Sequence, residues 1–295
     1  MARIVDVTPD QYHKLPGFSA SVAKVVIGHS EEHALAEYES REEAQDDEED
    51  QQKLAKLERG TVLHALVLGK GQRIKVLEYD KYTTAKARAE RDEARAAGFV
   101  PVKRAKFEIY ERTAIGLRAK LAAAGHRLEG QSEVAIEWTE STPHGDVACK
   151  GMLDHLEVWG DLDGTGPVEA TISDLKIVDD AAPARCMRTA ETMLYGIQAA
   201  AYRRGIAAVF PRLAGRVSFQ FLWCEPARPY GLWDPEPDGG FAELGERRWL
   251  RAVAAWARGR ATGEWPGYHT ERPSRRRYIE APLYALREEG VAYDG

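Results

Sequence analysis

Three side chains in the middle of the chain have the types and spacing for metal-assisted chemistry. They lie in two stretches, Lys150-Gly-Met-Leu-Asp154-His-Leu-Glu-Val-Trp159 and Val168-Glu-Ala-Thr-Ile-Ser-Asp174-Leu-Lys176-Ile-Val178. Side chains on a strand alternate between faces, so Asp174 and Lys176 share one face and Leu175 points the other way. If a hairpin brings Asp154 to that side, two carboxylates and one ammonium converge. Paired carboxylates suit a hard cation such as Mg²⁺, which takes oxygen ligands and keeps several waters. Such an ion lowers the pKa of a bound water and polarises a phosphoryl oxygen. A lysine beside it orients the attacking water or stabilises developing charge. A D-x-K triplet alone is more often an exposed ion pair, so the weight falls on what surrounds it.

Both stretches read as strands, being β-branched and apolar and bounded by Gly and Pro. The turn-rich Gly160–Pro167 segment between them predicts a hairpin. Ser132–Thr139 also alternates, with Val134, Ile136 and Trp138 on one face and Glu133, Ala135 and Glu137 on the other. With a turn at Gly145-Asp146, residues 132–178 predict an antiparallel meander. Upstream, Leu54–Gly69 predicts a helix that sets His64 among apolar residues. Gly60 lies one turn earlier on the same face, where it would permit close backbone packing. Downstream, Pro183–Gly205 predicts a single helix of about six turns. Gln198 and Tyr202 share a face of it at i, i+4, and Gln198 stands in an apolar run that packing alone does not explain. Val217–Cys224 reads as a central strand.

The flanks are less informative. Ser19 or Ser21 can cap a short helix running to Ile27. A strand is expected at Arg73–Tyr79, with helices at Ala85–Gly98, Lys103–Ala124 and Glu243–Thr262. Pro226–Gly240 reads as a loop. The chain has 295 residues, 44% hydrophobic and 30% charged, an ordinary globular composition with room for a sizeable core. No run is long and apolar enough to span a membrane, and the N-terminus lacks a signal-peptide apolar region. Cys149, Cys186 and Cys224 are widely spaced with no CxxC. A disulfide framework or zinc site is therefore not expected, and a reducing cytoplasm is. The formal net charge is −6, but it is unevenly spread. Glu31–Asp50 is strongly acidic and expected to be solvated or mobile. The C-terminal third is rich in arginine: Arg247, Arg248, Arg251, Arg258, Arg260, Arg272, Arg275, Arg276 and Arg277. There is no P-loop, no G-x-G-x-x-G and no internal repeat.

Taken together, the chain resembles the PD-(D/E)xK nuclease superfamily. Within it, the likeness is to phage-type recombination exonucleases of the RecE (exonuclease VIII) kind. It covers roughly residues 10–224 and rests on four motifs in order: Gly60-x-x-x-His64, Gly151-x-x-Asp154, Asp174-Leu-Lys176 and Gln198-x-x-x-Tyr202. The Tyr12–Tyr38 segment, with its Ser-rich helix start, is similar as well. The resemblance implies an α/β fold with a restriction-endonuclease-like core, a central mixed sheet with an antiparallel meander flanked by helices. Residues 1–130 would form an N-terminal helical part contributing His64, with the acidic segment 31–50 mobile. Residues 131–225 would be the nuclease core, and 226–295 a basic extension packed on it.

It also implies roles. Asp154 and Asp174 would hold Mg²⁺ or Mn²⁺, with the Leu175 backbone carbonyl and His64 as further ligands. Glu133 is similar in placement to an acidic residue found before the first aspartate in some relatives. Lys176 would position the nucleophilic water, and Gln198 and Tyr202 would brace the site or contact the DNA backbone. The implied activity is a 5′-to-3′ double-strand DNA exonuclease for recombination. It would act on duplex ends in the bacterial cytoplasm if phage-encoded, with a single-strand annealing protein and copies of itself as partners. An endonuclease, or an inactive DNA-binding or scaffold protein on the same fold, are the alternatives. An iron–sulfur relative needs four cysteine ligands, and with none before Cys149 no cluster is expected. Phosphate contacts dominate DNA affinity. The sequence places that positive groove at Lys150, Arg185, Arg188, Arg203, Arg204 and the C-terminal arginines.

Overall fold

The computed structural model describes residues 2–40, 51–268 and 287–288. The first third holds β1 (Arg3–Val5), α1 (Pro9–Lys14), α2 (Ala20–Gly28), α3 (Glu31–Ser40), α4 (Gln51–Leu68), β2 (Arg73–Leu77) and α5 (Ala85–Ala96). Next come β3 (Phe99–Lys103), α6 (Arg104–Ala123), β4 (Gln131–Thr142), β5 (Gly145–Trp159) and β6 (Glu169–Ile177). The chain continues with α7 (Pro183–Thr192), α8 (Tyr195–Val209), β7 (Val217–Cys224), β8 (Leu232–Trp233) and α9 (Gly239–Thr262).

The protein is α/β. Its main sheet has six strands in the order β1-β4-β5-β6-β7-β8. All neighbours are antiparallel except β6 and β7, which run parallel. Parallel neighbours need a crossover rather than a hairpin, and α7 and α8 form it. On one face, α2, α8 and α9 bury Phe18, Trp138, Ile197, Trp249 and Trp256 against the sheet. On the other, α4 and α6 close over Leu175 and Leu222 with Leu63, Val67, Tyr110 and Leu117. The alternation expected of β6 is realised: Leu175 lies in the α4 layer, while Asp174 bonds to α8. Helices α8 and α9 meet through glycines, since a Cβ on Gly245 would collide with the Gly196 main chain.

The structure departs from the sequence reading at several points. The helix expected over Pro183–Gly205 is two helices, because Leu194 adopts φ 53° and ends α7 before α8 begins. No Gly or Pro marks the break. It gives α8 its own axis, along which Tyr195, Gln198 and Tyr202 reach the sheet. In the acidic segment expected to be mobile, Glu31–Ser40 is helix α3, held by buried Ala34 and an ion pair from Glu31 to Arg258 of α9. Residues 41–50 lie outside the described residues, as do Arg272, Arg275, Arg276 and Arg277. Strand β3 was not expected; it pairs in parallel with β2 as a separate small sheet. Gly60 makes no close backbone approach, for a Cβ there would meet open space. Helix α9 is part of the main core through Trp249, Val253 and Trp256.

Candidate active site

The site lies where two strands part. The β5–β6 ladder runs from Trp159 and Glu169 to His155 and Ser173 and goes no further. Beyond that point β5 continues beside β4, and β6 beside β7. Asp154 stands at the fork and replaces the missing strand partner: its Oδ2 accepts the Leu175 N–H at 2.8 Å. On a parallel strand a residue's N–H and C=O point to the same side, so the Leu175 carbonyl faces the fork too.

His64 reaches the fork from α4. Its Nε2 lies 2.9 Å from Asp154 Oδ2, and its Nδ1 lies 3.2 Å from Glu133 Oε1. Glu133 lies on β4 between Ser132 and Val134, whose partners on β5 are His155 and Leu153, the neighbours of Asp154. It is buried and holds φ 53°, a conformation that costs a non-glycine residue about 1–3 kcal/mol and clusters at functional sites. Burial opposes a charge on His64, but Asp154 and Glu133 outweigh it and push its pKa up to about 10.

Asp174, only 1% exposed, is gripped from two sides. Lys176 Nζ lies 2.5 Å from Oδ2. Gln198 Nε2 donates to Oδ1 at 2.5 Å. Burial works against the Lys176 ammonium, yet Asp174 and Asp154 hold its pKa above the usual lysine value. Burial also opposes the Asp154 carboxylate, but His64, Lys176 and the Leu175 amide keep its pKa below the ordinary range. Tyr202 packs on the strand at Gly151, where an added Cβ would lie 3.0 Å from the ring. Burial raises its phenol well above the ordinary value, so the group stays neutral. The Gly151 and Tyr202 positions are thus linked by packing: the glycine admits the ring.

Two residues join the site without having been singled out. Lys24 of α2 donates to Gln198 Oε1 at 3.2 Å. Tyr195 lies beneath both ammonium groups, with Lys24 and Lys176 each 4.7 Å from its ring centroid. The sequence held faint signals for both. Lys24 is the lone charge in the apolar Ala20–Gly28 run, and Tyr195 is three residues before Gln198 on the same helix face.

The expected DNA-contacting cations divide. Lys150 is excluded: it is 3% exposed and donates to main-chain carbonyls of Tyr12, His13 and Leu15, fastening the end of α1. Arg204 is also turned inward, bridging Glu140 and Glu246, each at 2.6 Å. Arg185 and Arg188 stand exposed on α7, with Arg185 3.2 Å from Asp180. Arg203 is half-buried, and its Nε has no hydrogen-bond partner.

Among the described residues, no three His, Cys, Asp or Glu side chains stand in a metal-holding arrangement. The cations of Lys176 and His64 lie against Asp174 and Asp154 instead. The donor set nonetheless fits a hard divalent ion. Asp174 Oδ2 is buried and, although an ammonium is near, makes no aligned hydrogen bond. Carboxylates of Asp154, Asp174 and Glu133 surround the fork, and His64 adds a nitrogen once a metal displaces its proton, a set suited to Mg²⁺ or Mn²⁺.

No protein-family model matches the sequence, and no curated protein matches it. Among solved structures, the chain is similar to a putative exonuclease from Eubacterium rectale. The TM-score is 0.51 at 14% sequence identity, covering 96% of this chain and 98% of that one. The likeness shows the fold, an α/β domain whose mixed central sheet is flanked by helices. Among the described residues, no helix is long and apolar enough to cross a membrane.

Proposed function

We propose that the protein is a metal-dependent deoxyribonuclease, and specifically a 5′-to-3′ exonuclease that resects double-strand DNA ends for recombination. One observation carries this reading. Asp154, Asp174 and Lys176 converge at the fork between β5 and β6, with His64 of α4 and Gln198 of α8 closing on them. The name of the Eubacterium rectale protein supports it. Mg²⁺ or Mn²⁺ would be held by Asp154, Asp174, the Leu175 carbonyl and His64, with Glu133 behind His64. Bound there, the ion supplies Lewis acidity to a phosphoryl oxygen and a more acidic water.

The chain's own groups do the remaining work. Lys176, kept charged by two carboxylates, is a donor for the attacking water and for charge on the pentacoordinate phosphorus. Gln198 fixes one oxygen of Asp174, and Tyr202 backs the β5 strand. Arg185, Arg188 and Arg203, with Arg251 and Arg260 exposed on α9, are among the described cations that could meet backbone phosphates. A duplex end is the substrate in this reading, and a single-strand annealing protein and further copies of the chain are its partners.

Digestion of linear and closed circular duplex with Mg²⁺ tests the proposal, with wild type beside Lys176→Ala and Asp174→Ala. Loss of linear DNA alone, abolished in both variants, is the expected result. Cutting of circles makes the protein an endonuclease. No digestion with any divalent ion would leave a DNA-binding protein on a nuclease fold.

A further inference from the structure

We infer that Lys24 is a positioning residue for this site: acting through Gln198, it sets how Asp174 is presented. The inference rests on reading Asp174 as a metal-binding carboxylate. An ammonium can only donate hydrogen bonds, and a carboxylate can only accept them. Gln198 lies between one of each. Its Oε1 accepts from Lys24 Nζ at 3.2 Å, and its Nε2 donates to Asp174 Oδ1 at 2.5 Å. The two ends of an amide are alike in shape, so packing alone does not choose between them. Turned over, the amide would set its NH₂ against the ammonium and its oxygen against the carboxylate. Asp174 already disfavours the turned-over amide, and Lys24 locks the same orientation from the other end.

The consequence falls on Asp174. Because Gln198 holds Oδ1, Oδ2 is the oxygen left beside Lys176 without an aligned hydrogen bond. Lys24 is itself well placed for this task. It rises from α2, whose Ala20, Val22 and Ala23 are buried in the main core, and rests on the Tyr195 ring. Burial and the charge of Lys176, partly offset by Asp174, bring its pKa down to about 8.

The test compares wild type with Lys24→Met, Lys24→Gln, Lys24→Arg, Gln198→Ala and the double variant Lys24→Met/Gln198→Ala. Met keeps the side-chain length in an apolar helix, and Gln serves if Met disturbs the fold by circular dichroism. Mn²⁺ binding is read without DNA by electron paramagnetic resonance, and kcat and KM are read on linear duplex with Mg²⁺. Lys24→Met is expected to weaken Mn²⁺ binding and lower kcat, each by roughly tenfold, the worth of one hydrogen bond to a charged group. KM for DNA should stay within about twofold, since uniform substrate binding is untouched. Lys24→Arg, also a pure donor, should restore most of the loss. The double variant should be no worse than Gln198→Ala, because the effect passes through one amide. A rise in KM alone, or losses that multiply in the double variant, would overturn the inference and make Lys24 a substrate contact. If wild type binds Mn²⁺ and digests DNA and Lys24→Met equals it in both, the role of Lys24 falls. If wild type does neither, it is the nuclease reading that fails.

Discussion

Two acid–base clusters are served by the same helix, and they are built in opposite ways. Around Arg204, both oxygens of Glu140 are taken. Oε1 accepts from Trp138 Nε1, Trp249 Nε1 and Arg204 Nε at 2.9, 3.1 and 2.8 Å, and Oε2 accepts from Arg204 Nη2 at 2.6 Å. Six residues earlier on α8, Gln198 reaches a cluster in which Asp174 Oδ2 has a cation nearby but no aligned hydrogen bond. There Glu133 also holds an unfavourable backbone. A saturated cluster fixes α8 on β4 and has no capacity left. An unsaturated one is held together by the fold around it, and under the proposed function it is where the metal ion would bind.

The largest effect should come from breaking the unsaturated side. Asp174→Ala and Lys176→Ala are expected to lower DNA hydrolysis by roughly a thousandfold or more. The double variant Asp174→Asn/Lys176→Met should be equally inactive, yet hold or gain about 1–4 kcal/mol in urea unfolding. Replacing a buried pair by neutral groups removes its desolvation cost. The opposite pattern is expected on the saturated side. Glu140→Ala should lose about 2–3 kcal/mol in urea unfolding, less than a fully enclosed pair because Arg204 is partly exposed and keeps Glu246. The protein still folded should digest DNA at the wild-type rate.

Smaller effects sharpen the same contrast. Gly151→Ala pushes on the Tyr202 ring and should cost about 1–2 kcal/mol by thermal unfolding, with a parallel drop in activity. Lys150→Met removes donors to main-chain carbonyls and should cost about 1–2 kcal/mol. The slope of DNA affinity against salt should not change, whereas a true phosphate contact would lower it by about one ion. The smallest effect concerns acid stability. Burial alone would raise the Glu140 pKa, but Arg204, Trp138 and Trp249 hold it below the ordinary value. A depressed carboxylate stabilises the fold above its unfolded pKa of about 4.3 and loses that contribution as pH falls through the folded one. Glu140→Gln should therefore show a shallower loss of stability below that pH in a urea series.

How much of this was legible in the sequence follows from how far apart the partners lie. The β4–β5–β6 meander and the shared face of Asp174 and Lys176 depend on period-two alternation between neighbours, and both were readable. The helical placing of His64, Gln198 and Tyr202 was local too. The fate of the cations was not. Lys150 is enclosed by carbonyls 135 to 138 residues away, Arg204 by a carboxylate 64 residues away, and Lys24 meets Gln198 across 174 residues. A lysine or arginine reads the same in sequence whether it faces water or a cage. The turn at Leu194 was hidden for a different reason: a left-handed residue without glycine leaves no mark, and the surrounding structure imposes it.

The two ends of the main sheet bear on self-association. One edge strand, β1, has three residues beginning at Arg3; the other, β8, has two and runs into Pro235 and Pro237. Short edges, charge and proline are the devices that stop one sheet from templating another. Among the described residues, both edge strands thus carry features that work against edge-to-edge pairing, the usual start of β-aggregation. A ring of copies that closed through helices and side chains instead of these edges would be one that single substitutions can open.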